Sequence, residues 1–525
     1  MTAPARPAPG VPAASSQPRW AKVLDQSRCI GCHACTTACK SENAVPLGVT
    51  RTYVKSVEVG TFPQTRRAFQ VTRCNQCEDA PCVQACPTGA MYRRPDGIVD
   101  FDKSICIGCK ACIAACPYDA IFINPEDHSA EKCNLCAHRI DQGLEPACVV
   151  VCPTQAILVG DLDDPTSQVS EIVNRSPVVV RRPEKRTYPK VFYRGAHQAT
   201  LDPLAARRPE GGLFMWSRQS GEVVSGSPAG HSGPGPSSPG AGGNSSAAAL
   251  LSYDVGHQLP WGWRVSLYTW TKGLAAGTYL LTLLLVLGGR IPASSPLWSW
   301  ATPVASGLFL GLTGLLLIWD LKHPFRFHLI FVRPQWRSWL VRGAFVIAAY
   351  ALVLAAHLAA SLLGLRSLQR GLMVPGLPLA LLAAVYTAFL FAQARARDLW
   401  QSPLLPAHLA VQAFLLASAL LLPLSAWLEP AASRNLEWIL AGSALVHLLL
   451  VLSEASLTHV TAHARLALHE MIAGRWARPF WAGVVLVGVA LAAPLIGLWA
   501  SPLALLGLLA HEHAYVQAGQ SVPLA

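Results

Sequence analysis

All 16 cysteines of this 525-residue chain lie between positions 29 and 152, and they fall into four quartets. The first is Cys29, Cys32, Cys35 and Cys39. The second is Cys74, Cys77, Cys82 and Cys86, and the third is Cys106, Cys109, Cys112 and Cys116. The fourth is Cys133, Cys136, Cys148 and Cys152, and a proline (Pro87, Pro117, Pro153) follows the last cysteine of the second, third and fourth. No thiol is left over. A region this small with every cysteine allocated cannot build a large apolar core, so whatever the thiols hold must organise its fold.

Spacing decides what that is. Cysteines with two, two and three residues between them, and proline after the fourth, are the run of bacterial-type four-iron clusters. A tight loop presents three thiolates to one cube. The fourth thiolate, on a short helix, points away and ligates a second cube. Proline suits that change of direction because it fixes φ and donates no hydrogen bond, and Gly31 and Gly108 are expected to let the backbone wrap a cluster closely. Disulfides need an oxidising compartment, yet residues 1–19 read as a disordered lead without an apolar export segment or adjacent arginines. Zinc sites use paired knuckles rather than this four-membered run.

Around the quartets, residues 20–208 form the expected head, an α+β bacterial-ferredoxin-like fold of repeated dicluster units. Segments 97–101 and 120–124 read as a small antiparallel pair, and 178–180 and 191–193 as short strands. Asp164-Pro165 reads as a helix start with Asp as N-cap. Residues 209–258 are dominated by Gly, Ser, Pro and Ala, a flexible tether.

From residue 259 to 525 the chain changes character, and this half carries most of the overall 52% hydrophobic content. Apolar runs at 264–288, 299–319, 339–364, 375–394, 404–427, 436–457, 479–499 and 501–517 are long enough to cross a hydrocarbon core. The last is the shortest. This predicts an all-α polytopic membrane domain of about eight helices, with Trp263, Trp300, Trp319, Trp339, Trp427, Trp438 and Trp481 in an interfacial belt. Loops after the second, fourth and sixth spans carry Lys322, Arg326, Arg333, Arg337, Arg395, Arg397, Arg465, Arg475 and Arg478. The opposite loops carry only Arg290, Arg366, Arg370 and Arg434. Positive-inside logic then puts the head in the cytoplasm, in a multi-pass inner-membrane protein. The formal charge of +12 forms no single basic stripe, so nucleic acid is not expected as a partner.

The head resembles the four-cluster iron–sulfur subunit of the dimethyl sulfoxide and polysulfide reductase families. CIGCHACTTACKSEN, CNQCEDAPCVQACPTGA, CIGCKACIAACPYDA, the CNLC and CVVVCPTQAI stretches, and the tail GDLDDPTSQVSEIV with YPKVFY carry the likeness. The resemblance implies the pairing of first with fourth quartet and second with third. The four [4Fe–4S] clusters would be Cys29/Cys32/Cys35/Cys152, Cys133/Cys136/Cys148/Cys39, Cys74/Cys77/Cys82/Cys116 and Cys106/Cys109/Cys112/Cys86. The second half is similar to the polysulfide-reductase-type, NrfD-like membrane anchor. WRVSLYTWTKGLAAGTYLL, WDLKHPFRFHLIFVRPQWRSWLVRGA, DLWQSPLLP, EASLTHVTAHARLALHE and EHAYVQAGQSVPLA carry that likeness. It implies a quinone-reactive anchor without haem, and a separate molybdopterin catalytic subunit as partner. Such complexes are usually exported, a departure from the cytoplasmic expectation.

Ionisable residues within spans are costly and therefore site candidates. Lys272 lies inside the first span, Asp320 and His323 close the second, and Glu454 closes the sixth. A carboxylate and a histidine near one interface suit quinol oxidation, where one group accepts each proton. The bland alternative pairs Asp320 with Lys272 or a loop arginine as a helix lock. His459 and His463 read as the polar face of an interfacial helix rather than a metal pair. His357 and His447 could hold haem only if they faced each other. The expected function is an electron-transfer and anchor subunit between membrane quinone and the catalytic partner. The alternative is a quinol-oxidising complex that also translocates protons or ions.

Overall fold

The computed structural model describes residues 17–60, 63–207 and 249–525; the expected lead up to residue 16 and the tether from 209 to 248 lie outside them. Among the described residues the head is built on four small sheets. Its strands are β1 (Trp20–Asp25), β2 (Thr52–Val59), β3 (Arg66–Arg73), β4 (Met91–Arg93), β5 (Val99–Phe101), β6 (Ile121–Ile123), β7 (Ala130–Lys132), β8 (Ile157–Asp161), β9 (Val178–Val179), β10 (Val191–Arg194) and β11 (Leu250–Tyr253). One sheet has the order β8-β1-β10-β9, with β1 antiparallel to β8 and parallel to β10. The alternation of β1 explains its place. Ala21 and Val23 pack with Val169 of the helix Gln168–Arg175, while Lys22 and Leu24 turn to the opposite, thiol-lined side.

Three local expectations change. The strand at 97–101 does not pair with that at 120–124: β5 pairs with β4, and β6 with β7. Each strand closes on its nearer neighbour through a short turn, at Arg94–Gly97 and Asn124–Ser129, and the shorter loop loses less entropy. The helix near Asp164 starts later, at Gln168 after Ser167, because Asp164 instead accepts from Thr166 N and Oγ1 in a local turn. The tether, drawn to residue 258, stops short of it: β11 adds to the free edge of β2, and His257 pairs with Asp119 at 2.8 Å.

The second half is all helix. Seven helices among the described residues are long and apolar enough to cross a membrane, and Ala477–Ala490 is a shorter one. The first span is Trp263–Leu287, the second Leu297–Asp320, the third Trp339–Leu362, the fourth Arg366–Ala392, the fifth Leu405–Leu428 and the sixth Pro430–Ser456. The seventh and eighth differ from expectation. The seventh stops at Ala490, and the eighth, expected to be shortest, runs over Ala493–Gln520. The two separate at residues 491–492 rather than at residue 500, and Pro494 and Gly497, the latter at φ 58°, interrupt the start of the eighth.

Helix satisfies every backbone group in lipid, so packing alone ranks the spans. The first span is central: 78% of its apolar window is buried, against 28% for the third. It can sit so close to the fifth because a Cβ on Gly277 would lie 2.0 Å from the Ala413 carbonyl oxygen. Outward faces carry Leu308, Leu315, Leu352 and Val374, exposed as a lipid-facing surface requires. This is a multi-pass membrane protein with a ferredoxin-like head.

Candidate functional site

The sixteen cysteines form no disulfide, and most are buried. Their neighbours sort them into four nests. Cys29 lies in the field of Cys32 and Cys152; Cys39 in that of Cys133, Cys136 and Cys148. Cys82 is faced by Cys74, Cys77 and Cys116, and Cys112 by Cys86, Cys106 and Cys109. The nests also touch in sequence. Cys35 of the first feels Cys148 of the second, Cys74 of the third feels Cys133 of the second, and Cys112 of the fourth feels Cys82 of the third. The result is a row with Cys32, exposed, at one end.

Each loop turns by the same device. The residue two after the first cysteine is left-handed: Gly31 (φ 71°), Gln76 (φ 48°), Gly108 (φ 68°) and Leu135 (φ 60°). Glycine is required at two of them for contact as well as φ. A Cβ on Gly31 would lie 2.3 Å from the Phe69 ring, and one on Gly108 would lie 2.4 Å from Lys322 Cβ. Gly108 thus serves the approach of the membrane half as well as the wrapping of a cluster.

The nests fit anionic iron–sulfur clusters. Lys22 and Arg73 are 1% exposed, and their side chains donate to Cys148 Sγ at 3.4 and 3.2 Å. Arg73 keeps Nε and Nη2 without partners, a costly burial unless an anion neutralises it. Burial alone would raise the Cys148 thiol, but Lys22 and Arg73 override it and hold it at about 6. Backbone N–H groups of Met91, Ala130 and Ala156 donate to Cys86, Cys106 and Cys152. The nest of Cys86, Cys106, Cys109 and Cys112 lines a cavity of its own. No group of three His, Cys, Asp or Glu among the described residues is spaced for a single metal ion. A cube holds its thiolates further apart than one ion does.

The fourth nest faces the helices. Trp261 Nε1 donates to the Cys109 carbonyl at 3.2 Å, Arg326 to the Lys103 and Cys106 carbonyls at 3.0 Å, and His323 N to Ile107 O at 3.2 Å. Lys110 pairs with Asp320 at 2.9 Å. Elsewhere on the seam Lys185 pairs with Asp398, Arg395 with Asp79 at 2.8 Å, and Arg181 donates to Leu524 O at 3.2 Å.

The four membrane candidates do not share one cavity. Asp320 pairs with the head, not with Lys272 or a loop arginine, and His323 Nε2 sits 3.3 Å from Ser129 Oγ. Lys272 is buried, donates to Ala384 O and stands 5.3 Å from the Tyr386 ring centre. Glu454 lies 3.9 Å from His408. A cavity between the first, fourth, fifth and eighth spans is lined instead by Thr269, His408, Gln412, His511, Glu512 and Tyr515. Glu512 accepts from Thr269 Oγ1 at 2.8 Å, and Lys272 lies within its field. Phe391, also on the cavity wall, is 5.7 Å from the ring of Trp261, which bonds the fourth nest. His408, His511, Gln412 and Tyr515 escaped the sequence reading. Their only signal is polarity inside apolar runs. His357 lies edge-on to Tyr279 and tilted against Trp298, while His447 lies with His408 and His511, so those two candidates do not face each other.

Thiol nests in a ferredoxin-like head, joined to a polar cavity in a helix bundle, define an iron–sulfur protein with a membrane anchor. Comparison with known proteins makes this specific. Residues 65–162 match the "4Fe-4S dicluster domain" family, residues 20–41 a "4Fe-4S binding domain", and residues 253–506 "Polysulphide reductase, NrfD". The tetrathionate reductase B subunit from Salmonella typhimurium is 42% identical over 201 residues, 37% of this chain and 79% of the relative. Protein NrfC of Escherichia coli is 44% identical over 177 residues, 33% of this chain and 79% of the relative. The polysulfide reductase B subunit from Wolinella succinogenes is 41% identical over 177 residues, 33% of this chain and 93% of the relative. The chain belongs to the family of these iron–sulfur reductase subunits, and it carries an NrfD-type membrane domain on the same polypeptide.

Proposed function

We propose that the four nests each hold a [4Fe–4S] cluster, ligated as the grouping above has it, and that the chain exchanges electrons between membrane quinone and a separate molybdopterin catalytic subunit. Such clusters are one-electron carriers with tunable potentials. The observation that carries the reading is the continuity of parts. The row of nests runs from exposed Cys32 to Cys109, and Trp261 and Phe391 lead on to the polar cavity. His511, Gln412, Glu512 and Tyr515 offer donors and acceptors for a quinone headgroup, and Phe391 an apolar wall. Lys272 and Glu454 flank this site as proton-handling groups; Asp320 and His323 anchor the last nest beside it. The tetrathionate, polysulfide and dimethyl sulfoxide reductase names of the relatives support a catalytic partner.

The basic loops on the head side support a cytoplasmic head in the inner membrane. A reporter placed after the third span, active only outside the cytoplasm, agrees with this; activity only inside reverses it.

The test is anoxic purification in mild detergent. Iron and acid-labile sulfide for four clusters, bleaching of the visible absorption by a quinol analogue, and a molybdenum-containing protein that co-purifies are expected. Fewer clusters, or no bleaching by ubiquinol- and menaquinol-type analogues, overturns the corresponding part.

A further inference from the structure

Three histidines from three spans form a row, of which the quinone reading uses only His511, at the cavity wall. The cavity is lined at one end of the row by His408 of the fifth span and at the other by His511 of the eighth. The His511 ring lies 4.8 Å from that of His447 in the sixth span, at 89°. His447 lies 6.1 Å from His408 in the fifth span, at 82°. His408 Nε2 stands 3.9 Å from Glu454 Oε2, too far for a direct hydrogen bond. Past Glu454, whose carbonyl contacts His459 Nε2 at 3.0 Å, the row meets the largely exposed loop at 457–461 on the head side.

Every member is 7% exposed or less. Each also keeps an unpartnered polar atom: His511 Nδ1, His447 Nδ1, His408 Nε2 and Glu454 Oε1. Orphaned polar groups cost stability, and apolar residues would pack the same space better. A neutral imidazole, by contrast, accepts at one nitrogen and donates from the other, so such a row can pass protons on. The groups facing it are few. Glu512 and Lys272 lie on the cavity side of His511, the seventh helix presents Phe480 at 5.8 Å, and Glu454 is the acidic group beside His408.

We propose that His511, His447 and His408 conduct protons between the cavity and the head-side edge of the bundle, ending at Glu454. A proton taken up by one nitrogen of His511 is matched by release from the other toward His447, and so on through His408. One proton entering at the cavity leaves one on Glu454, and the row returns neutral. The inference rests on the quinone reading of the cavity. Its consequence is that protons of the substrate are exchanged on the side of the membrane where the head sits. The row stays in the head-side half: His511 is nine residues from Gln520, and His408 is three from Leu405.

The test uses the full chain in phosphatidylethanolamine/phosphatidylglycerol vesicles, with decylubiquinol or a menaquinol analogue as donor. External ferricyanide is the acceptor, so only molecules with the head outward react. Each quinol oxidised reduces two ferricyanides and frees two protons. Pyranine inside and a second pH dye outside report where they go. The wild type is expected to acidify the outside. His447→Phe is expected to lose turnover on the order of a hundredfold, with KM and cluster signals in electron paramagnetic resonance unchanged and a larger solvent isotope effect. His408→Gln provides the same readout should the first variant not assemble. Acidification of the interior, or wild-type turnover and isotope effect in both variants, overturns the path alone. No oxidation of either quinol by the wild type overturns the quinone reading and the path with it.

Discussion

In the head, Lys22, Arg73 and Lys132 are almost fully buried and each lies in the field of cluster thiols. In the helix bundle, Lys272, His447 and Glu512 are buried as deeply, with no cysteine in their half of the chain. The contrast shows two ways of keeping polar groups from water. With clusters in its nests, the head would neutralise its cations with anions supplied by a prosthetic group, and its fold and its chemistry would share one set of atoms. The bundle holds its shape by apolar packing over more than two hundred residues of helix and can leave a few polar atoms unsatisfied. Its polar residues are a cost that packing offsets, and so point to function.

The comparison breaks most visibly on metal removal. Oxidising and chelating the iron is expected to unfold the head and leave the bundle intact, since structural metal sites commonly supply the whole folding free energy of small domains. Circular dichroism should retain the helical signal while protease cleaves within residues 20–207. Equal resistance of head and bundle would show that the head has a sufficient core of its own.

Next in size is the seam. Gly108→Ala places a Cβ 2.4 Å from Lys322 at φ 68°; backbone strain alone is about 1–3 kcal/mol, and the overlap adds to it. Gly31→Ala meets Phe69 within the head. Gly108→Ala should loosen the head from the helices, read as faster cleavage of the loop around Lys322, whereas Gly31→Ala should leave that loop protected.

Lys110 and Asp320 sharpen the point further. Their side chains are 12% and 14% exposed, so removing one partner should cost about 3 kcal/mol. Asp320→Leu together with Lys110→Met should recover much of it in thermal unfolding. If Asp320 served quinol chemistry instead, the double variant would restore stability and still fail to turn over.

The smallest effect concerns His257, where β11 returns the chain to the head. Burial opposes its charge, but Asp254 and Asp119 override this and raise it to about 10. Its stabilisation is therefore complete below the unfolded-state value of about 6.5 and is lost as pH rises through about 10. The melting difference between the wild type and His257→Asn, about 2 kcal/mol, should be full at pH 6 and vanish above about pH 10. A difference independent of pH would remove the ion pair as its cause.

The loop charges carry a double duty that pattern alone could not separate. Arg326, Arg395 and Arg397 sit where a topology rule counts them, yet they bond the Cys106 carbonyl, Asp79 and the Gln520 carbonyl. Part of the positive bias is docking chemistry, at Arg326 and Arg395, and part is bonding within the bundle, at Arg397. The remaining Lys322, Arg333, Arg337, Arg465, Arg475 and Arg478 still outnumber those of the opposite loops.

What the sequence determined by itself was local: ferredoxin-like loops from cysteine spacing, spans from apolar length, a membrane anchor from their number. These are set by covalent spacing and by the intolerance of lipid for unpaired backbone. The order of the nests, the choice of Cys109 rather than Cys32 to face the helices, and the meeting of His408, His447 and His511 were decided only in three dimensions. Each joins residues far apart in the chain, and one polar residue in an apolar helix looks like any other until packing shows what it faces. Asp320 is the clearest case. Its place at a helix end suggested chemistry or a helix lock, and the fold gave it Lys110, some two hundred residues away, because the head had to sit there.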